Sequence, residues 1–192
     1  MKYDKNKREI QLDRKFNKLD KFVLDFVEIL EKYTDYVIIS GYVSILLGRA
    51  RATEDIDVFI KRIPKEIFFQ LYEALEKNDF WCLNAEDKEK IFSYLKEGLA
   101  VRFARKGKAV PNFEMKFPKN KIDEETFLDF IEVLLPSGKL KISSLERQIA
   151  FKKYYLKSEK DIEDALHIEE LFKEKLDYSK INKLKELIEN IK

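Results

Sequence analysis

The chain has 192 residues, 45% hydrophobic and 39% charged, and its 38 basic and 36 acidic side chains leave a net charge of +2. That length supports one sizeable folded domain with a conventional core, and the charge balance gives no global case for a nucleic-acid partner, so any basic patch must be local. A single cysteine, Cys82, and a single histidine, His167, exclude disulfide frameworks, zinc fingers and Ser-His or Cys-His catalysis.

Residues 12 to 33 read as a helix, because Leu12, Phe16, Leu19, Val23, Phe26 and Leu30 recur at three- or four-residue spacing between charged residues. An apolar run, Tyr36 to Ile39, bounded by Ser40-Gly41, has the pattern of a buried strand ending in a tight turn. Tyr42 to Leu47 then reads as a short helix closed by Gly48. A basic connection, Arg49 to Glu54, leads to a second strand, Asp55-Ile56-Asp57-Val58-Phe59-Ile60. Strand side chains alternate, so Asp55 and Asp57 share one face, about 7 Å apart, and Ile56 and Val58 share the other. Hard oxygen ligands facing one point are how proteins hold Mg²⁺ beside phosphates; two ordinary acids on a solvated strand face is the plainer explanation.

Pro64-Lys65-Glu66 opens a further helix that buries Ile67, Phe68, Leu71 and Leu75. Phe80 to Leu83 is ambiguous, with Cys82 read as a core residue, and Glu86 to Glu97 reads as a helix. Leu99 to Arg105 and Val110 to Phe117 form an antiparallel pair through Lys106-Gly107-Lys108. Alternation in the second of these puts Asn112, Glu114 and Lys116 on one face. Phe127 to Leu135 and Lys139 to Ser143 are taken as a hairpin across Pro136-Ser137-Gly138, against a competing helix over 124 to 134. From Ser144, a plausible N-cap, the pattern changes to amphipathic helices. The first has Leu145, Ile149, Tyr155 and Leu156 at buried positions and ends at Lys157-Ser158. The second, Asp161 to Lys175, packs through Ile162, Ala165, Leu166, Ile168, Leu171 and Phe172, and the third spans Ile181 to Ile191. We therefore divide the chain into a core, 1–143, and a C-terminal helical region, 144–192, packed on it.

Strand, Ser-Gly turn, short helix, basic loop and D-x-D together resemble the signature of the polymerase-beta-like nucleotidyltransferase superfamily. The form S-G-Y-x5-G-R-x-R-x-T-x-D-I-D is most similar to its AbiEii-type branch, which includes toxins of toxin-antitoxin systems and uncharacterised archaeal proteins. Ser40 stands where the first glycine of that signature usually stands. The resemblance extends over residues 35 to 165 and includes a helix lysine, Lys152, followed by K-D-x-x-D at Lys160, Asp161 and Asp164. It implies an α/β (α+β) nucleotidyltransferase fold, a small mixed sheet flanked by helices. The implied activity is transfer of a nucleoside monophosphate from an NTP to an acceptor hydroxyl.

On that resemblance Asp55, Asp57 and a third acid, Glu114, are the metal ligands and catalytic carboxylates, holding two Mg²⁺ ions or Mn²⁺ in their place. Glu114 has an alternative as a surface residue paired with Lys116 or Arg102 across the hairpin. Gly41 would let the turn backbone approach phosphates, and Ser40 would offer them a hydroxyl. Arg51 would contact phosphate, with Thr53 orienting the loop; alternatively Arg49 and Arg51 pair with Asp55 and Asp57. Lys152 would approach the triphosphate and Asp161 would orient a basic group or a nucleotide, against a plainer role in an ordinary polar helix face. Arg147 is a weaker candidate.

The implied acceptors are RNA, particularly tRNA 3′ ends, protein, or a small molecule such as an aminoglycoside, and an antitoxin protein is an implied partner. Basic clusters at Arg102/Arg105/Lys106/Lys108 and Lys116/Lys119/Lys121 suit RNA, or serve as solubilising surface. A degenerate, nucleotide- or partner-binding protein of the same fold is the alternative, and a metal-dependent nuclease lacks the further acidic or His motifs it would need. No apolar run approaches the ~20 residues of a membrane span, and the charged N-terminus carries no signal segment. A cytoplasmic protein is expected, and the Lys/Glu/Ile weighting is that of thermophile proteins.

Overall fold

The computed structural model describes residues 1–190. Nine strands form one mixed sheet: β1 (Lys2–Asp4), β2 (Glu9–Gln11), β3 (Tyr36–Ile38), β4 (Asp55–Ile60), β5 (Phe80–Cys82), β6 (Val101–Arg105), β7 (Asn112–Lys116), β8 (Phe130–Leu135) and β9 (Gly138–Ser143). Their spatial order is β1-β2-β8-β9-β3-β4-β7-β6-β5. The pairs β4–β7, β3–β9 and β2–β8 are parallel and the others antiparallel. The sheet is larger than the small one expected. The additional β1–β2 ribbon is made of three-residue strands whose single buried residues, Tyr3 and Ile10, are too few to show a period.

The first helix, α1, spans Lys18–Leu30 and not the predicted 12 to 33. Asn17 and Asp20 explain the start: each side chain accepts from the other's backbone N–H, at 2.9 and 3.0 Å, a reciprocal cap that ends the preceding extended segment. Leu12 instead continues the β2 side of the sheet, its N–H donating to the Leu134 carbonyl at 3.0 Å. Helices α2 (Gly41–Leu46), α3 (Lys65–Lys77) and α4 (Lys88–Lys96) lie where the sequence pattern puts them. A short turn of helix, α5 (Lys121–Glu124), and a 3₁₀ turn, Glu125–Phe127, precede the β8–β9 hairpin, which forms where the hairpin was chosen over a helix.

The strand alternation sorts the sheet into two faces. Ile56, Val58 and Ile60 of β4, Phe113 and Met115 of β7, and Val101 and Phe103 of β6 are all buried. They pack beneath α1 and α3 with Phe22, Phe26 and Phe80; the Phe26 and Phe113 rings stack at 4.0 Å. Each such ring removed from water contributes about 2–3 kcal/mol, so this face is the main stabiliser. The opposite face carries Asp55, Asp57, Asn112 and Glu114, and it is there that a site can form.

The C-terminal helices are α6 (Leu145–Ala150), α7 (Glu159–Phe172) and α8 (Tyr178–Glu189). Ser144 caps α6 as expected, and α6 continues into a π-helical turn, Phe151–Leu156, closed by Lys157 in the left-handed conformation. Its wider winding, seen in the Lys157 N–H donating to the Lys152 carbonyl at 3.0 Å, alters which side chains face inward. Tyr155 and Leu156, expected buried, are therefore exposed, and Lys152 is buried. Leu166 and Leu171 are likewise exposed, because α7 turns Asp164, Ala165, Ile168 and Phe172 inward. The predicted last helix lies on α8, except for Ile191, which lies outside the described residues. Leu145, Ile149, Ile168, Leu184 and Ile188 join the same hydrophobic cluster as the sheet. Among the described residues no helix is long and apolar enough to cross a membrane.

Candidate active site

Strand β4 carries Asp55 and Asp57 on one face, and β7 runs parallel beside it in a register that sets Asp57 opposite Glu114 and Asp55 opposite Asn112. Neighbouring strands are about 4.8 Å apart, so the three acids occupy adjacent backbone positions. Their carboxylates do not converge. Among the described residues no three His, Cys, Asp or Glu side chains are grouped closely enough to hold a metal ion. The cause is local: Lys116 Nζ donates to Asp57 at 2.7 Å, and Arg102 donates from Nε to Glu114 at 2.7 Å and again from Nη2. The expected set Asp55, Asp57 and Glu114 is thus assembled in its backbone and divided in its side chains, and Glu114 makes the Arg102 pair weighed as its alternative. The hydrogen bond to Glu114 and its charge, with smaller contributions from Asp55 and Asp57, raise the Arg102 pKa.

Thr53 orients the strand entrance, its hydroxyl donating to the Asp55 carbonyl at 2.9 Å and lying 3.2 Å from the Asp55 carboxylate. The turn before it is unusual. Ser40 sits at φ 65°, ψ −138°, a region that side chains other than glycine's rarely adopt. Ser40 and Asp57 both border a cavity of about 350 Å³, together with Lys116, Lys119, Gln148 and Lys152.

Arg51 does not face this cavity. Its guanidinium lies against Gly41, where a Cβ would come within 3.1 Å of Nη2 and 3.3 Å of Cζ. The open side of Gly41 therefore admits an arginine rather than the expected phosphate. From there Arg51 donates to Asp164 at 2.5 Å. Asp164 is fully buried and also accepts from Lys152 at 2.7 Å, while Arg49 forms an ion pair with it at 3.0 Å. Arg49 and Arg51 thus pair with α7 and not with Asp55 and Asp57. Asp161 lies farther from the Lys152 ammonium, at 3.5 Å, and is engaged by the Ser158 cap of α7, so the stronger partner of Lys152 is Asp164. The sequence did carry a signal for this: Asp164 is in helical phase with Ile168 and Phe172, on the apolar face. Lys152 is only 1% exposed and still borders the cavity. Its ammonium is held there by Asp164 and Asp161, at the edge of a cavity that Ile39, Phe59, Phe117 and Phe151 also line.

Arg147 has a structural role: it donates to the Ile122 carbonyl at 2.8 Å and to Asp129 at 3.0 Å. Cys82 is buried, which pushes its thiol pKa up and disfavours the thiolate. The pairing of Lys116 with Asp57 and the ion cluster at Asp164 were not read from sequence, since each depends on a partner brought near only by the fold.

The donor chemistry of Asp55, Asp57 and Glu114 fits a hard divalent cation. For the three to act together, Asp57 and Glu114 have to leave Lys116 and Arg102.

No family model matches the sequence, and a search of curated proteins gave no match. Solved structures do match. An antigenic nucleotidyltransferase-like protein from Paracoccidioides brasiliensis aligns at TM-score 0.53 and 17% identity over 79% of this chain and 74% of its own. The antibiotic-resistance factor ANT(2'')-Ia in solution aligns at 0.54 and 15% identity over 88% and 90%. Its crystal structure with adenylyl-2''-tobramycin aligns at 0.52 and 11% over 91% and 98%. At these identities the likeness establishes a shared fold: the chain is built as nucleotidyltransferase-like proteins are.

Proposed function

We propose that this protein is a divalent-metal-dependent nucleotidyltransferase that moves a nucleoside monophosphate from an NTP to an acceptor hydroxyl and releases pyrophosphate. The observation that carries the reading is the register of Asp57 against Glu114 on parallel strands, with Asp55 on the same face and a cation-lined cavity alongside. Asp55, Asp57 and Glu114 would hold Mg²⁺, or Mn²⁺, which when bound neutralises charge on the phosphates and favours ionisation of the acceptor. Glu114 is the base toward the acceptor hydroxyl. As the acceptor oxygen bonds to the α-phosphorus, the bond from that phosphorus to the β-phosphate bridge breaks and the acceptor proton passes to the carboxylate. Lys152 offers charge to the triphosphate, with Asp164 and Asp161 fixing its amine, and Ser40 offers its hydroxyl to the same phosphates. Arg51 acts through Asp164 and Gly41, at one remove from the nucleotide. The helices from residue 144 onward close the cavity side of the site.

The finer assignment rests on the sequence pattern S-G-Y-x5-G-R-x-R-x-T-x-D-I-D. It supports an AbiEii-type enzyme acting on RNA, working in the cytoplasm and held in check by an antitoxin protein. A second reading is favoured by one specific feature. Lys116 and Arg102 already neutralise Asp57 and Glu114, which would suit a protein that binds a nucleotide without turning it over.

Thermal unfolding tests the binding step that the readings share and the metal assignment. A ligand that binds the folded state alone raises Tm by mass action. Mg²⁺ and NTP added together should raise Tm more than either alone, and Asp57→Asn should abolish the synergy. No shift with any NTP contradicts both readings, and a shift that survives Asp57→Asn contradicts the metal assignment.

A further inference from the structure

The registers place a row of residues across four strands on the acidic face of the sheet. Asp55 is opposite Asn112, Asn112 opposite Ala104, and Ala104 opposite Trp81 on the edge strand β5. The parallel row reads Asp57, Glu114, Arg102. Trp81 therefore shares a face with the acids and stands three strand spacings, about 14 Å, from Asp55. The residue is 42% exposed, an unusual state for the only tryptophan of the chain. It is also fixed, since Nε1 donates to the Arg105 carbonyl at 3.1 Å and to the Lys108 carbonyl at 3.0 Å. The turn that holds it presents Lys106 and Lys108 to solvent, while Ala104 and Asn112, which lie between Trp81 and Asp55, are buried, and the exposed Arg102 of the parallel row is paired with Glu114.

We infer that Trp81 is an acceptor subsite: a stacking platform for a base of a single-stranded polynucleotide whose terminal hydroxyl lies at Asp55 and Asp57. The inference rests on the nucleotidyl-transfer reading for the chemistry at the far end of that strand, but the subsite itself is a matter of binding. A rigid, exposed ring beside cations is what sequence-tolerant single-strand binding uses, with stacking on the ring and phosphates along the positive charges. The exposed Lys106 and Lys108 beside the ring argue against a polycationic acceptor. The distance sets a minimum length, since 14 Å spans roughly two nucleotides of an extended strand. An oligomer of about three nucleotides or more can bridge acid and indole, and a mononucleotide cannot.

Because Trp81 is the sole tryptophan, its fluorescence reports on this place alone. The experiment titrates the whole protein, without NTP, with oligoriboadenylates of one to eight residues, the octamer annealed to its complement, and an aminoglycoside. Quenching that begins at about three nucleotides and is lost in the duplex is expected. Absent quenching, equal quenching by mononucleotide or duplex, or quenching by the aminoglycoside alone overturns the proposal. Trp81→Ala should weaken octamer binding by about 5- to 100-fold, read by anisotropy of a labelled octamer, while Trp81→Phe, which keeps a ring and loses the indole hydrogen bonds, stays within about threefold. Equal loss in both variants assigns Trp81 to holding the turn and overturns stacking. Quenching without nucleotidyl transfer leaves the subsite standing and removes the enzyme reading; transfer to RNA with unresponsive Trp81 does the reverse.

Discussion

Replacing Asp164 by Asn tests whether the ion cluster behind the cavity is organised by that one carboxylate. The change keeps the shape and removes a charge shared by Lys152, Arg51 and Arg49. The three cations are not equal. The Arg49 and Arg51 side chains are 17% and 19% exposed and can recover water, whereas Lys152 is at 1% and cannot. The cost therefore falls on Lys152, with Asp161 at 3.5 Å as its fallback partner. Leaving one member of a buried pair uncompensated costs about 3–5 kcal/mol, and the fallback sets the expectation at the lower end, about 3 kcal/mol. For a chain of this size that lowers Tm by about 6–12 °C. Lys152→Met removes the stranded charge, so in that background Asp164→Asn should cost only about 1 kcal/mol, a coupling of about 2 kcal/mol. Urea denaturation of the four proteins of the cycle measures both numbers. A loss below about 1 kcal/mol for Asp164→Asn alone, or coupling below about 0.5 kcal/mol, would refute the argument.

Ser40→Gly relieves the positive-φ backbone and should stabilise the protein by about 1–2 kcal/mol in the same assay; a destabilisation would mean that the side chain contributes more than the strain costs. Gly41→Ala puts a methyl group 3.1 Å from the Arg51 guanidinium. The arginine can swing aside, so stability should fall by only about 1 kcal/mol, while NTP-induced stabilisation falls with the displaced Arg51–Asp164 pair; unchanged NTP stabilisation would remove Arg51 from the support of the site. Asp129 supplies a pH test. Burial opposes its ionisation, but hydrogen bonds and charge from Lys180, Ser144 and Arg147 outweigh burial and hold its pKa below the usual 3.8. A depressed folded pKa contributes stability that is fully present above the unfolded value and is lost as pH falls through the folded one. Stability should therefore decline below about pH 4, and Asp129→Asn should lessen that decline in urea titrations, at a cost in stability near neutrality. A variant with an unaltered acid limb contradicts the assignment.

What the sequence disclosed depended on how local each feature is. The D-x-D strand, the hairpin through Gly107 and the start of α3 rest on short-range alternation, turn chemistry and Pro64, and they lie where they were read. Glu114 came from the resemblance, which implies a third carboxylate, together with the alternation that put it on the Asn112–Lys116 face, and its strand is the neighbour of β4. The Arg102–Glu114 pair was read as an alternative, but the pairing of Arg51 with Asp164 was not legible, because they are 113 residues apart and only the docking of α7 near α2 joins them. Tyr155 and Leu156 were misjudged as buried because the α-helical period was carried through a π-turn. The role of Trp81 was hidden for a similar reason: a three-residue edge strand is too short to reveal which face it shares with the acids.

The central claim is nucleotidyl transfer at Asp55, Asp57 and Glu114, and label transfer measures it. The protein is incubated with Mg²⁺, each α-³²P-labelled NTP in turn, and total tRNA, beside an Asp55→Ala/Asp57→Ala control matched for folding. The account predicts label in the RNA that requires Mg²⁺ and disappears in the control. Label in the protein itself would keep the chemistry and change the acceptor. No transfer from any NTP, from a protein that nucleotide and Mg²⁺ demonstrably stabilise, would contradict the claim and leave a nucleotide-binding protein on the same fold.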